Sequence, residues 1–306
     1  MSNNIASAGE TTFLLQGLAE GIRNDGRSRL QCRTFEIAKG VVGRANGSAH
    51  VTLAGTEVVV GVYADVQRSK RGSMCVHVDC TPAAAWAYNP TRTRGAKEGF
   101  TTTISMQLSN LYTAQRTGGH RTEDVMMADA AEEEEGGART TPGHPGLHIP
   151  LNYAALCIGP DMAWNLNVDV MVVGCTGGNV IGAVSVAVKA ALMDVMLPQV
   201  EVSLTGEVTL HNENPSSFPQ AADAPLATLF LCTGSHFLVD PTQQEESVPH
   251  TAVVLGVRPD GEVCLFETVT LSTQVTAVGP IPPRDLLTVV EDGARVLVEM
   301  NAVLVA

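Results

Sequence analysis

"AWNLNVDVMVVGCTGGNVIGAVSVAVKAALMDV" (residues 163–195) decides the fold class. The β-branched run "AWNLNVDVMVV" reads as a strand and "GCTGGN" as a glycine turn. The following "VIGAVSVAVKAALMDV" is apolar almost all round, which marks a helix buried in a core rather than one lying on a surface. With Lys189 and Asp194 inside it, the segment is too charged and too short to span a bilayer, so no membrane partner is expected. A strand, a glycine turn and a helix N-terminus make a candidate anion cradle, because free N–H groups and the positive end of the helix dipole converge there. The turn carries neither G-x-x-x-x-G-K-[ST] nor G-x-G-x-x-G, which argues against ATPase and dinucleotide-binding functions.

Moving outward, "TTFLLQGLAEGI" (11–22) spaces Phe13, Leu14, Leu18 and Ile22 at helical intervals and predicts an N-terminal amphipathic helix. Next, "GIRNDGRSRLQCRTFEIAKG" (21–40) sets an Asp-Gly turn ahead of "TFEIAKGVV", "GSAHVTLAGTEVVVGVYADV" and "MCVHVDCTPA", which read as a strand meander. "ISMQLSNLYTAQ" predicts a helix that covers the sheet, with Ile104, Leu108, Leu111 and Tyr112 on one face. Beyond "LPQVEVSLTGEVTL" and a Pro/Ser-rich break at 214–225, a second strand group follows, with a "RPDGEV" hairpin turn and an amphipathic helix in "PRDLLTVVEDGARVLVEMNAVLVA". A β-rich unit closed by a helix thus occurs twice, and at 306 residues two cores are the expectation. The fold class is α+β, divided as a helix at 1–22, a first domain at 23–200 and a second at 201–306.

The net charge of −13 conceals an asymmetry. Residues 23–116 hold 13 Lys and Arg against 6 Asp and Glu, whereas 117–306 hold 6 against 24. Clustered cations are the footprint of phosphate-backbone binding, and a solvated basic face without a ligand is the alternative. Residues 117–147, with four consecutive glutamates among glycine and proline, read as a disordered acidic insertion. Its histidines 120, 144 and 148 lack zinc-type Cys/His spacing, as do Cys75 and Cys80, so no metal is expected. Seven cysteines, several inside apolar runs, and an opening without a charged-then-apolar leader fit reduced thiols in the cytosol or nucleus.

Three short stretches then become specific. "DGR" with Arg33 six residues on, "GSAHVTLAGTEVVVGV", and "VDPTQQEE" together resemble the RNase PH family, and "LCIGPDMAWNLNVDVMVV" and "AVSVAVKAAL" extend the match over nearly the whole chain outside 117–147. The resemblance implies two RNase PH-type domains, each a mixed β-sheet packed with helices. It also implies a hetero-hexameric ring, formed with other RNase PH-like exosome subunits, around a channel for single-stranded RNA. RNA-binding cap subunits and an associated exosome nuclease would be further partners, in the nucleus, nucleolus and cytoplasm.

Catalytic members of the family cut RNA 3′ ends by phosphorolysis, and a Ser-Arg pair at the helix-opening turn holds the phosphate. Here Gly178-Asn179 stands in those places, and an amide does not replace a guanidinium fork. Asp240 falls where relatives keep a catalytic Asp, with Glu245 and Glu246 near a second acidic position. An acid without its phosphate clamp implies a vestigial Asp240, no catalytic residue and no cofactor. The expectation is a non-catalytic ring subunit, against an active phosphate-dependent 3′–5′ exoribonuclease or an RNA-binding protein outside any ring. The resemblance makes Asp25-Gly26-Arg27 mainly a structural turn with Arg–carboxylate pairing. Arg68, Lys70 and Arg71 in "VQRSKRGS", and Arg92, Arg94 and Lys97 in "NPTRTRGAK", are the candidate RNA contacts.

Overall fold

The computed structural model describes residues 7–88, 96–112, 115–116, 147–148, 151, 153–202, 208–233, 236–248, 251–269 and 282–305. Residues 117–146, which carry the predicted insertion, lie outside this set, as do Arg92 and Arg94.

Helix α1 (Ala8–Glu20) starts at a Ser7/Glu10 capping box and ends at Gly21 with φ 77, a left-handed geometry that glycine adopts without steric cost. Strands β1 (Glu36–Lys39), β2 (Gly47–Leu53), β3 (Thr56–Gln67) and β4 (Ser73–Cys80) follow, then helices α2 (Pro82–Tyr88) and α3 (Ala96–Tyr112). Short strands β5 (Gln115–Arg116) and β6 (Leu147–His148) pair with each other at the foot of the acidic segment. Strands β7 (Cys157–Gly159) and β8 (Met162–Cys175) lead into helix α4 (Val180–Met193).

The first sheet runs β1-β2-β3-β8-β4, with β7 joined to β8. It therefore departs from a simple meander. Strand β8 inserts between β3 and β4, antiparallel to the former and parallel to the latter. Its 14 residues alternate, with Leu166, Val168, Val170 and Val172 buried, so it can hydrogen-bond on both edges while presenting one apolar face. That periodicity turns one face of β8 to the core, and pairing on both of its edges leaves β4 at the edge of the sheet.

Helix α4 is buried from Val180 to Leu192, as its composition predicts, and packs against β2 and β3 on one side and β11 on the other. A Cβ at Gly47 of β2 would lie 2.6 Å from the Ala191 carbonyl oxygen, so only glycine permits this approach of strand to helix. Strands β9 (Met196–Val202) and β10 (Val208–Ser217) form a separate two-stranded ribbon, reaching into the expected Pro/Ser-rich break. Strands β11 (Leu226–Thr233), β12 (His236–Val239), β13 (Thr251–Val257) and β14 (Val263–Val269) make a four-stranded antiparallel sheet ordered β12-β11-β13-β14. A short helix α5 (Gln243–Glu246) lies between β12 and β13, and helix α6 (Pro283–Val305) closes the chain against β13 and β11. The buried apolar residues form one cluster that runs from Leu18 through both sheets to Leu297. Among the described residues, no helix is long and apolar enough to cross a membrane.

Lys189 sits in the middle of this core, fully buried. Its ammonium donates to the carbonyls of Ala222 and Ala224, at 2.8 and 2.7 Å, and to the Asn301 side-chain oxygen. It thereby ties α4 to the 219–224 segment and to α6. Burial pulls its pKa down to about 8, against the attraction of Asp223. The unfolded chain then holds more protons than the folded one between about pH 8 and the ordinary lysine value near 10.4, so this group's contribution to stability rises with pH across that window. The thiols of buried Cys232 and half-buried Cys32 and Cys264, pushed up to about 12 by desolvation, act in the opposite direction above about pH 8.5. The discriminating quantity is the difference between wild type and Lys189→Met. We expect wild type to gain a few kcal/mol on the variant between pH 7.5 and 10, measured by urea unfolding at both pH values.

Candidate functional site

The glycine turn after β8 leads to a cluster of charges rather than to an open cradle. Asn179 caps α4 from the left-handed region (φ 47), and its Oδ1 accepts from the Gly182 N–H at 3.1 Å. Its Nδ2 donates to Asp240 Oδ1 at 2.7 Å and to Thr228 Oγ1 at 3.0 Å. Its backbone N–H donates to Glu246 Oε1 at 2.7 Å. The N-terminal end of the helix thus faces two carboxylates of the chain itself, which favour the positive end of its dipole.

Asp240 follows β12 at φ 50 and is 1% exposed. Its Oδ1 accepts from Arg33 Nη2 at 2.6 Å as well as from Asn179, and its Oδ2 accepts from the Arg33 backbone N–H at 2.8 Å, from Arg33 Nε at 2.9 Å and from Arg27 Nη1 at 2.9 Å. Five donors saturate the carboxylate. Burial works to raise its pKa, but the hydrogen bonds and charge of Arg33, with Asn179, prevail and hold it below the usual carboxylate range. A carboxylate held this way carries no proton to give near neutral pH, so it does not suit a general acid.

The chain entrance supplies the cations. Asp25 accepts from the Arg27 backbone N–H and Nε, at 3.2 and 2.7 Å, which folds the Asp-Gly-Arg turn upon itself. Arg27 then reaches the Gln31 carbonyl and both the carboxylate and carbonyl of Asp240. Arg23, buried, makes a two-point pair with Glu245 at 2.8 and 2.7 Å and donates to the carbonyls of Val239 and Asp240. Such forked pairing suits guanidinium and not ammonium. Arg33 completes the lattice through the carbonyls of Gly177 and Pro241. Reading the sequence located Asp240 and the Arg27 turn. It did not find Arg23 as the partner of Glu245, because 222 residues separate them.

Gly178 makes the enclosure tight. It has φ +76, and a Cβ there would fall 2.5 Å from the Gln243 nitrogen and 2.9 Å from the Pro241 carbonyl. The Pro241–Gln243 backbone therefore occupies the volume that a side chain at 178 would need.

The predicted RNA contacts separate into two places. Arg68, Lys70 and Arg71 are exposed in the β3–β4 turn, where Ser69 Oγ accepts from the Arg71 N–H and donates to its carbonyl. The Tyr153 carbonyl crowds Gly72 beside this turn, and the Tyr153 hydroxyl donates to the Tyr112 carbonyl at 2.6 Å, which brings the C-terminal end of α3 to the same end of the sheet. Lys97 is in the first turn of α3, about 22 Å away along the helix axis. That is the end where β8 finishes and the Asp240 cluster lies. Among the described residues no group of His, Cys, Asp and Glu could hold a metal ion. Among the described residues Cys32, Cys75, Cys157, Cys232 and Cys264 form no disulfide.

Residues 31–130 match the 3′ exoribonuclease (RNase PH) family, domain 1. The chain is 28% identical over 294 residues to a Dictyostelium discoideum protein described as "Putative exosome complex exonuclease RRP42", with 85% of this chain and 87% of the relative covered. It is 27% identical over 260 residues to the "Exosome complex component Rrp42" of Methanopyrus kandleri, covering 83% and 82%. Among solved structures, it superposes on a chain of an archaeal exosome core with a TM-score of 0.64 at 18% identity, covering 97% and 96% of the two chains. A chain of an Archaeoglobus fulgidus exosome with RNA bound to its active site gives 0.63 at 19%, covering 96% of each. These two superpositions establish a shared fold.

Two changes should separate the charges of the cluster. Asp240→Asn removes a buried carboxylate that half-buried Arg33 and Arg27 pair with, and should destabilise the chain by about 3–5 kcal/mol. Half-buried Glu246, pushed up to about 7 by burial despite the Asn179 N–H and Arg33, is protonated in the folded chain at pH values where the unfolded chain is ionised. Stability from this group therefore falls between about pH 4.3 and 7. Glu246→Gln should remove that decline, read as the urea midpoint at pH 5 against pH 7.5.

Proposed function

From the premise that this chain belongs to the RNase PH family, we propose that it is a non-catalytic ring subunit of an RNA exosome. It would support 3′-to-5′ RNA processing by completing the ring and its RNA channel. The single observation that carries the reading is the closed anion cradle. The N-terminal end of α4 is capped by Asn179 and faced by Asp240 and Glu246, and Pro241–Gln243 leave no room for a side chain at 178. Phosphorolysis needs preorganised donors free to receive inorganic phosphate, and loss of one such donor typically costs about 10²- to 10³-fold in rate. Here the Asn179 N–H and side-chain amide already hold Glu246 and Asp240.

The six-stranded sheet with α4, and the four-stranded sheet with α6, are the counterparts of two RNase PH-type domains, divided near residue 200. Ring neighbours of the same family, RNA-binding cap subunits, an associated nuclease and single-stranded RNA are the partners of this reading, with action in the nucleus, nucleolus and cytoplasm. A phosphate-dependent exoribonuclease is the rival, supported by the word "exonuclease" in the name of the Dictyostelium relative.

Two measurements test the proposal. A ring that contains the wild-type chain, its other subunits inactivated, should release no nucleoside diphosphates from a 3′-tailed single-stranded RNA with inorganic phosphate present. Phosphate-dependent diphosphate release would move the function to phosphorolysis. Arg68→Ala with Arg71→Ala should weaken RNA binding by the assembled ring alike for all sequences, and should reduce the salt slope by about 1.4 for two phosphate contacts on a single strand. An unchanged slope would make the turn a subunit contact instead.

A further inference from the structure

We infer that the open face of the first sheet is a docking surface for an extended protein segment rich in Lys and Arg. The inference goes beyond the ring reading and needs no ring neighbour. In β8 the buried residues Leu166, Val168, Val170 and Val172 turn to the core, and the alternate residues point the other way. Register carries that second face across the other strands. One row reads Ala38, His50, Val59, Met171 and Asp79, and the next reads Ser48, Gly61, Asp169 and His77.

Charge distinguishes this face from the rest of the basic half. Glu36, Glu57, Asp65, Asp79 and Asp169 all occupy positions on it, and none of its strand positions is Lys or Arg. Lys39 pairs with Ala49 and so belongs to the opposite face. Residues 23–116 hold 13 Lys and Arg against 6 Asp and Glu, yet four of those six carboxylates stand here. They are spread out: Glu57 and Asp65, on the same strand, lie about 27 Å apart, too far to share one ion.

The same face carries an apolar strip. Val59 and Met171 are cross-strand partners, and Met171 is 39% exposed. The Tyr63 ring lies against Gly61, where a Cβ would meet it at 3.3 Å. Methionine is an adaptable contact for varied side chains. The polar end is held in place by a chain of hydrogen bonds. Gln67 Nε2 donates to Ser73 Oγ at 2.8 Å, Ser73 Oγ to Asn165 Oδ1 at 2.7 Å, Asn165 Nδ2 to Asn167 Oδ1 at 3.1 Å, and Asn167 Nδ2 to Asp65 Oδ2 at 3.0 Å. Asp65 is thus oriented before a partner arrives, which lowers the ordering cost of binding.

Complementarity on this face selects the occupant. A phosphate backbone would be repelled by the carboxylates, so RNA does not fit. A second copy meeting face to face would set the same carboxylates against each other. Cations spaced along an extended segment reach carboxylates spread over the length of β3, and an apolar residue between them meets Val59 and Met171.

The test uses the full chain and a labelled synthetic peptide of about ten residues, long enough to follow the face, that alternates Arg and Ser around one central Leu. Glu57→Gln with Asp169→Asn should weaken its binding about tenfold. Glu201→Gln with Glu213→Gln, which removes the same charge from the β9–β10 ribbon, should leave binding within about twofold. Binding to wild type should weaken as salt rises, and a peptide with Glu in place of Arg should not bind. In parallel, the NMR signal of the Met171 methyl group in the wild-type chain should shift on addition of the Arg peptide, a readout that requires no variant to fold. Equal losses in the two double variants, or an unmoved Met171 signal, overturn the docking surface. Single-stranded RNA or a second copy that moves the Met171 signal overturns the choice of occupant. An assembled ring that no longer takes up the peptide makes the face a ring contact, which overturns this inference and leaves the ring reading standing.

Discussion

Five donors converge on the carboxylate of Asp240, and three segments distant in sequence are joined at that point. Arg33 and Arg27 come from the entrance to the first sheet, Asn179 from the cap of the buried helix, and the carboxylate from the end of β12. Remove the charge and three segments distant in sequence lose their common partner. Burial in such a place costs several kcal/mol per ion unless geometry and hydrogen bonds are complete. The five donors meet that condition, and Arg23 with Glu245 meets it again one layer away.

The same closure explains the chemistry. A helix N-terminus with a glycine turn is ordinarily suited to receive phosphate. In this chain the internal carboxylates arrive first, because the turn after β12 is pinned by arginines and Gly178 allows its backbone to press in. The contacts that join the segments around α4 also occupy the Asn179 N–H and side-chain amide with the chain's own carboxylates.

Charge, too, reads differently in three dimensions. The basic half of the sequence does not make one basic face. Arg23, Arg27 and Arg33 are spent on internal carboxylates. Arg68, Lys70 and Arg71 remain exposed at one end of the first sheet, and Lys97 lies toward the other.

The sequence by itself determined what depends on neighbours along the chain. The strand before Gly174, the buried helix after Asn179 and the amphipathic closing helix are all stated by side-chain period and composition, because burial of one face or of every face leaves that imprint locally. The Asp25–Arg27 turn was legible through motif resemblance, whereas Asp240 was read as a vestige of a catalytic site and its five donors came only from the structure. Tertiary structure alone decided that β8 enters between β3 and β4, since strand order follows from which edge is left unpaired, and a strand's own residues do not record that. It alone decided that Arg23 meets Glu245, that Lys189 finds three acceptors inside the core, and that the carboxylates close the cradle. Each of these joins groups tens to hundreds of residues apart, where the pairing energy is set by distance and dehydration in the folded state and leaves no periodic trace in the chain.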